Sequence, residues 1–187
     1  FVKGKKVKVS APQDIIREGV ALITEDRKVT GLNLSGTVND NIAMVAIKKL
    51  LTNGLYDKGK ARKASQAYIE KLNIKTPSGD QIVGNLSGGN QQKVVISKWI
   101  LRDCDVLIFD EPTRGIDVGA KSEIYKLMTQ LAEEGKSIIM ISSDMPELLR
   151  LSDRVIVMCE GHVTGELDIS EATQETIMTY ATKREVG

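Results

Sequence analysis

The sequence is poor in several features that would assign it to a particular class of protein. Its longest apolar runs are about five residues, as in 155–159, whereas a helix that crosses a bilayer needs roughly 18 or more apolar residues. We therefore expect no membrane span, and we expect no signal peptide either. Two cysteines, Cys104 and Cys159, lie far apart and form no CxxC pair, which excludes a disulfide framework and favours a reducing, cytoplasmic setting.

Charge of one sign is also lacking, because 26 Lys and Arg residues balance 25 Asp and Glu residues for a net charge of +1. This balance argues against a dedicated nucleic-acid surface, so we expect no nucleic-acid partner. The single histidine, His162, lies in a glycine-bearing turn, where we expect it to be exposed and to have no chemical role. The 41% hydrophobic and 27% charged residues are typical of one globular domain, with or without a subdomain.

Strand-like and helix-like segments alternate along the chain. Short apolar or alternating runs predict strands at 6–9 (an edge strand), 20–24, 106–109, 137–142, 154–159 and 162–168. Capping residues and apolar spacing predict helices at 11–19, 37–51, 58–72, 87–101, 117–135, 145–152 and 170–183. Apolar strands that alternate with helices indicate an α/β fold with a parallel sheet covered on both faces. The stretch from about 36 to 100 is nearly all helix and predicts a helical insertion.

The segment VLIFDEP at 106–112 carries the strongest chemical signal. Four apolar residues predict a buried strand, and Asp110 and Glu111 follow at its C-terminal end, where ligands bind in open α/β sheets. Such an acidic pair suits a nucleoside triphosphatase, with Asp110 holding Mg²⁺ through water and Glu111 polarising the attacking water. The same residues also fit two surface carboxylates before a turn proline, and the motif alone leaves both interpretations open.

The segment LSGGNQQ at 86–92 opens a predicted helix with three poor helix formers. A helix start offers unpaired N–H groups and a partial positive charge, which together bind phosphate. Ser87 adds a hydroxyl, and Gly88 and Gly89 let the backbone approach an anion closely. A glycine loop with a serine cap is the other interpretation of this segment.

Taken together, the two motifs resemble those of the ATP-binding-cassette (ABC) ATPases. LSGGNQQ resembles their signature motif, with Asn90 where glutamine usually stands, VLIFDEP resembles their Walker B strand, and TRGID at 113–117 resembles their D-loop. Over essentially the whole chain, the sequence is similar to that of the second cassette of the tandem ATPase subunits of ribose, galactose and arabinose importers. The segments that carry this closer similarity are EDRK (25–28), NQQK (90–93), PTRGIDVGAK (112–121) and SSDMPELL (142–149).

The resemblance implies a P-loop NTPase-like fold with a mostly parallel sheet, flanking helices and a helical subdomain. It divides the chain into 1–35, a partial ATPase core with the Q-loop region; 36–100, the helical subdomain that ends in the signature motif; and 101–187, the core with Walker B, D-loop and switch region. It also implies site roles. The signature residues Ser87, Gly88, Gly89 and Asn90 contact the γ-phosphate of an ATP held mainly by the opposite cassette. Asp110 holds Mg²⁺, Glu111 is the catalytic glutamate, and Asp117 is the D-loop aspartate.

The sequence departs from the family pattern at the phosphate-binding loop. No GxxxxGK[ST] occurs, and Gly4-Lys5 lacks both the earlier glycine and the following Ser or Thr. Such a loop supplies the backbone cradle and the lysine for the phosphates, so we expect this chain by itself to bind ATP weakly or not at all. The family pattern places the loop and the strands beside it before residue 1, which fits a start at Phe1; a degenerate or absent loop is the other possibility.

Two further departures concern the chain's own ATP site. Ser143, in ISSD, stands where the family usually has its switch histidine, and Glu25 is the best match to the absent Q-loop glutamine. A serine is a weaker γ-phosphate partner and cannot act as an imidazole would. We therefore expect this half's own site to hydrolyse ATP slowly or not at all, while its signature motif serves the other site.

The resemblance implies an ATP-hydrolysing subunit that energises the import of a monosaccharide such as ribose or galactose. Its expected partners are membrane permease subunits, the other ATP-binding cassette and, indirectly, a sugar-binding protein. The expected location is peripheral, at the cytoplasmic face of the cell membrane. Two alternatives remain at this stage: a soluble ABC ATPase of chromosome maintenance or translation, and a catalytically degenerate regulatory cassette.

Overall fold

A computed structural model describes residues 1–183 of the chain. The chain divides into two compact units, residues 1–141 and the remainder from Ser142 onwards. The functional division into 1–35, 36–100 and 101–187 stays a prediction. Within residues 1–183, no helix combines the length and the apolar character that crossing a membrane requires.

Most predicted helices and strands are present. The described helices are α1 Pro12–Arg17, α2 Val38–Ala43, α3 Lys58–Lys71, α4 Gly88–Arg102, α5 Val118–Glu133, α6 Met145–Leu151 and α7 Gln174–Ala181. The described strands are β1 Val20–Ile23, β2 Leu51–Thr52, β3 Leu55–Tyr56, β4 Val106–Asp110, β5 Ser137–Ile141, β6 Arg154–Cys159 and β7 His162–Asp168. Short 3₁₀ turns lie at Ile47–Leu50 and Val83–Asn85, and a single π-helical turn lies at Arg27–Gly31.

The first unit is built on a parallel sheet of order β1-β4-β5. On one face of this sheet the side chains of β1 and β4 are buried, as at Ile23, Leu107 and Phe109, and those of β5 are half-buried. Helices α4 and α5 contact strands β1 and β5 respectively. On the other face, Leu22 and Ile139 are 46% and 52% exposed. The predicted parallel sheet is confirmed, but among the described residues only one of its faces is covered as parallel sheets usually are.

The helical insertion begins where Thr37 caps α2, its hydroxyl accepting from the Asp40 N–H at 3.0 Å. Helix α2 contacts both α3 and α4. The predicted helix 37–51 is too long, since the chain leaves it for a 3₁₀ turn and then the β2–β3 hairpin. Asn53 and Gly54 adopt φ of +51° and +81°, as the two-residue turn of a tight hairpin requires. This Asn-Gly pair is the sequence signal that the helix prediction overlooked.

Two predictions near the ends of the chain are wrong. Residues 6–9 form no strand, because within the described residues only an isolated bridge between Val2 and Lys5 lies nearby and supplies no partner for them. The closing helix begins at Gln174 rather than 170, because Thr173 caps it by accepting from the Thr176 N–H at 3.1 Å.

The second unit is an antiparallel ribbon of β6 and β7 packed on α6 and α7. Its core is Val155, Val157, Leu167 and Ile177. A Cβ at Gly165 would lie 2.6 Å from the ring of Tyr180, so the glycine allows α7 to pack directly on the ribbon.

Candidate functional site

The candidate acidic residues lie at the C-terminal edge of the parallel sheet. Strand β1 ends at Ile23 and leads to Glu25, while the adjacent β4 ends with Asp110 and leads to Glu111. In the sheet register Ile23 is paired with Phe109, and Asp110 is paired with Ile141. Parallel order therefore places Glu25, Asp110 and Glu111 at the same edge, and for Asp110 and Glu111 this position was predicted from the apolar strand before them.

Glu111 occupies an unusual backbone conformation at this edge. Its φ is +46°, a left-handed value that costs a non-glycine residue roughly 1–2 kcal/mol. The turn is held by two hydrogen bonds: the Glu111 N–H donates to Ile141 O at 2.8 Å, and the Arg114 N–H donates to Glu111 O at 3.1 Å. Glu111 is the predicted catalytic glutamate, and it shares this left-handed conformation with five other non-glycine residues of the described chain, Lys3, Asn53, Asn73, Asp103 and Glu160.

Helix α4 begins with an uncapped turn, of which the N-cap residue Ser87 is exposed, Gly88 and Asn90 are half-buried and Gly89 is buried. Within the described residues, the exposed Ser87 hydroxyl accepts no hydrogen bond from the helix backbone. It accepts instead from the Asn90 amide at 2.9 Å, while the Asn90 amide oxygen accepts from the Lys75 N–H at 2.8 Å. Within residues 1–183, the Ser87 side chain therefore caps none of the first backbone N–H groups of α4, and the helix dipole favours an anionic acceptor for them.

Packing within the chain leaves no room for a side chain at Gly89 and little at Gly88, where the nearest atom is the flexible end of Arg27. A Cβ on Gly88 would lie 2.6 Å from the Arg27 guanidinium and 3.1 Å from Gly115 O, and a Cβ on Gly89 would lie 2.6 Å from the Ala120 Cβ. Real Cβ atoms do not approach other atoms so closely. The bare backbone thus has a structural cause that sequence reasoning missed, beside the phosphate-binding role predicted for it.

The segment 113–117, which resembles a D-loop, connects β4 to α5. Asp117 caps α5 by accepting from the Ala120 N–H at 2.9 Å, as its position in the sequence predicted. Gly115 takes φ of +66°, which bends the segment back beneath the start of α4. The predicted switch residue Ser143 is exposed and belongs to the second unit, just before α6.

The loop that follows β1 contacts the 113–117 segment through side chains. The Glu25 carboxylate forms an ion pair with Arg114. The Arg27 guanidinium donates to Arg114 O at 2.9 Å and to Gly115 O at 3.2 Å. Sequence reasoning placed Arg27 in a polar loop and assigned it no role, yet the residue is only 8% exposed.

Buried cations support α4 from two sides. The Lys98 ammonium donates to Gly31 O, and desolvation lowers its pKa to about 8. The Lys93 ammonium donates to Asn73 O at 2.9 Å and to the Glu123 carboxylate at 2.8 Å. The helical periodicity of apolar residues gave no signal for either contact, because both partners are distant in sequence.

The donor set at the sheet edge suits Mg²⁺ bound chiefly through water. Among residues 1–183, no three His, Cys, Asp or Glu side chains are grouped to hold a metal ion. Mg²⁺ typically takes one or two protein carboxylates and completes its octahedron with water and phosphate oxygens. Asp110, half-buried at the end of β4, fits such a site as its one protein ligand.

Comparison with known proteins relates the chain to a large family. The family model described as ABC transporter matches residues 2–114. The chain is 55% identical over 185 residues to the "Putative ribose/galactose/methyl galactoside import ATP-binding protein 1" of Burkholderia lata, an alignment that covers 98% of this chain and 36% of that protein. It is 51% identical over 183 residues to the "Ribose import ATP-binding protein RbsA" of Clostridium tetani, covering 97% of this chain and 36% of that protein. The chain therefore spans about a third of the length of these relatives.

Solved structures show the same fold. The dimeric ATP-binding cassette MJ0796, in a post-hydrolysis state bound to ADP and Pi, superposes with a TM-score of 0.67 at 20% identity over 83% of this chain and 65% of that chain. An inward-facing metal-chelate type ABC transporter superposes with a TM-score of 0.71 at 16% identity over 86% of this chain and 63% of that chain. The predicted P-loop NTPase-like fold is thereby confirmed.

Proposed function

The chain belongs to the ABC transporter family, and from this premise we propose that it supplies the signature face and the Walker B strand of an ATPase subunit that energises monosaccharide import. The names of relatives at 51–55% identity, which are import ATP-binding proteins for ribose or for ribose, galactose and methyl galactoside, support this substrate class. The proposal concerns a complete subunit, since this chain matches 36% of each of those two relatives.

The observation that carries the proposal is the uncapped start of α4 with its exposed N-cap residue, Ser87. Ser87 faces solvent, and the N–H groups of the first helical turn accept a phosphate well because the helix dipole adds to their own partial charge. No phosphate-binding loop lies in the sequence of this chain. By the family pattern, a nucleotide at this helix start is held mainly by another cassette, with Ser87, Gly88, Gly89 and Asn90 closing over its γ-phosphate.

For the chain's own sheet edge we propose the roles that the family pattern assigns. Asp110 orients Mg²⁺, which would neutralise charge on the phosphate oxygens when bound. Glu111 accepts a proton from water as the water oxygen bonds to the γ-phosphorus and the bond to the bridging oxygen breaks, which releases ADP and phosphate. Ser143 and Glu25 take the places of the switch histidine and the Q-loop glutamine, and Asp117 serves in the D-loop.

The proposed partners are those of an importer. A membrane permease contacts the helical segment 36–100, a second ATP-binding cassette faces the start of α4, and a sugar-binding protein acts indirectly through the permease. The subunit is then peripheral, on the cytoplasmic face of the membrane. The relatives' names favour this assignment over a soluble ABC ATPase of chromosome maintenance or translation.

One contact favours a second candidate function, a regulatory cassette with a slow site of its own. Glu25, at the Q-loop position, is a carboxylate paired with Arg114, whereas the usual residue is a neutral amide. Together with serine at position 143, this ion pair supports weak ATP hydrolysis at the sheet edge of this cassette. The signature residues of this cassette would then act mainly on the ATP of the other cassette.

Replacing Ser87 by arginine in the full-length protein tests the proposal. A bulky cation at the helix start would compete with the phosphate and block the close approach of the second cassette, so sugar uptake and ATP turnover should fall by about tenfold or more. Ser170→Arg, at an exposed turn of the second unit, is the matched control and should retain both activities. Unchanged uptake in Ser87→Arg would refute the assignment of the α4 start.

A further inference from the structure

The loop after β1 is folded so that one arginine points inward. Asp26 precedes the π-helical turn Arg27–Gly31 and accepts from the N–H groups of Lys28 at 2.9 Å and Val29 at 3.1 Å. This cap holds the turn tightly. Lys28 is exposed, whereas Arg27 is 8% exposed.

Within residues 1–183, the buried guanidinium donates hydrogen bonds to backbone carbonyls and to no carboxylate. It donates to Arg114 O at 2.9 Å and Gly115 O at 3.2 Å, both within the 113–117 segment. Its Nε is buried and, within residues 1–183, has no hydrogen-bond partner. Desolvation lowers the pKa of the Arg27 guanidinium, and the nearby Asp26 charge offsets this only in part, so an apolar side chain would cost less to bury at this position. A guanidinium is kept where its planar fork bridges two acceptors.

The same guanidinium fills the space beside the start of α4. A Cβ on Gly88 would lie 2.6 Å from the Arg27 Nη2, so the guanidinium occupies space that a side chain at position 88 would take. Arg27 therefore touches both the phosphate-facing helix start and the D-loop-like segment. Lys98 of α4 bonds to Gly31 O at the other end of the same turn, so the turn is attached to α4 at both ends.

We propose that Arg27 is a positioning residue that holds the 113–117 segment against the start of α4. A nucleotide that binds at the start of α4 would then also meet the D-loop-like segment in a fixed position. This inference rests on the proposed ATPase function, since a fixed relation between these two elements matters only if both face a nucleotide. Loss of this contact leaves the phosphate contacts of Ser87 intact and misplaces the D-loop. The consequence is slower turnover with little change in nucleotide affinity.

The test compares Arg27→Met with Lys28→Met, its exposed neighbour, in the full-length protein. Arg27→Met should lower kcat for ATP by about 10- to 100-fold, as small displacements of positioning groups do, and change KM less than about twofold because it removes no contact to the nucleotide. Lys28→Met should keep wild-type kinetics. Hydrogen–deuterium exchange at residues 113–117 should rise in Arg27→Met alone.

A second variant keeps the test decisive if Arg27→Met does not fold. Arg27→Lys retains the charge but presents no planar fork to bridge two carbonyls, so it should show the same separation of kcat from KM to a smaller degree, with a partial rise in exchange. Wild-type kcat and wild-type exchange in a folded Arg27 variant would overturn the inference, as would equal losses in Lys28→Met. Since exchange needs no ATP turnover, an inactive wild-type protein would count against the proposed function while the exchange comparison still decides the role of Arg27.

Discussion

Gly89 in the first turn of α4 packs directly against Ala120 in the first turn of α5. A Cβ built on Gly89 would lie 2.6 Å from the Ala120 Cβ, and both atoms are attached to backbone rather than to a flexible side chain. The two helices that carry the signature and D-loop-like segments are therefore in contact at their starts, at a separation that one methyl group would exceed.

Gly89→Ala should destabilise the protein although alanine favours helix by about 1 kcal/mol. The added methyl must push α4 and α5 apart, and overpacking of this kind costs about 1–3 kcal/mol. Ala120→Gly removes the opposing methyl, so the double variant should be more stable in urea denaturation than Gly89→Ala alone. Strictly additive effects of the two substitutions would show that the helices do not meet here.

Lys98 predicts a specific dependence of stability on pH. Its pKa falls from 10.5 to about 8 in the folded state because of desolvation, so between those values the unfolded chain binds more protons and stability rises with pH. This difference in pKa corresponds to a destabilisation of the folded state of about 3 kcal/mol. The destabilisation is fully present below pH 8 and disappears as the pH rises towards 10.5. The free energy of unfolding of wild type minus that of Lys98→Met should therefore increase from pH 8 to pH 10. A flat difference across this range would contradict the burial of a charged Lys98.

Glu123 forms an ion pair with the buried Lys93 and should contribute more to the free energy of unfolding than an ordinary surface carboxylate. Lys93 is 4% exposed and the Glu123 oxygen lies 2.8 Å from its ammonium. Glu123→Gln should cost about 1–2 kcal/mol at neutral pH, reduced from the value for a fully buried pair because Glu123 itself is 42% exposed. Glu133→Gln, an exposed position of the same helix, is the matched control and should be nearly neutral.

The ion pair between Glu123 and Lys93 should also make stability depend on pH in the acid range. Lys93 lowers the pKa of Glu123 below 4.5, so the stabilisation is present above that pH and disappears as pH falls through the lowered value. The difference in unfolding free energy between wild type and Glu123→Gln should therefore shrink on acidification. A difference that persists undiminished at low pH would be inconsistent with an ionic contact.

Glu111→Gln distinguishes an active from a degenerate site at this sheet edge. Because Ser143 and Glu25 replace the residues that usually assist hydrolysis, we expect the full-length protein to retain most of its ATP turnover. Loss of a general base that drives turnover costs about 100-fold or more. Such a loss in Glu111→Gln, measured beside Ser87→Arg in the same steady-state assay, would show that the site of this cassette hydrolyses most of the ATP.

Local signals were sufficient for much of the fold. Thr37 and Asp117 act as helix caps where the sequence predicted them, since a cap depends on residues three positions away. The parallel strands β1, β4 and β5 were predicted from apolar runs. The hairpin at Leu51–Tyr56 was missed although Asn53-Gly54 signals it, because the helical pattern of the preceding residues was extended too far.

The sequence by itself determined the family, the parallel sheet and the acidic residues at its edge, because each depends on contiguous motifs or on strand order. Only the tertiary structure showed which atoms occupy the space beside Gly88 and Gly89, and where the side chains of Arg27 and Lys98 lie. Their partners, Gly115, Ala120 and Gly31, are far from them along the chain. Residue type and local spacing predict a polar loop and a helix face, whereas the enclosure of a cation between two segments arises only when the folded chain brings those segments together.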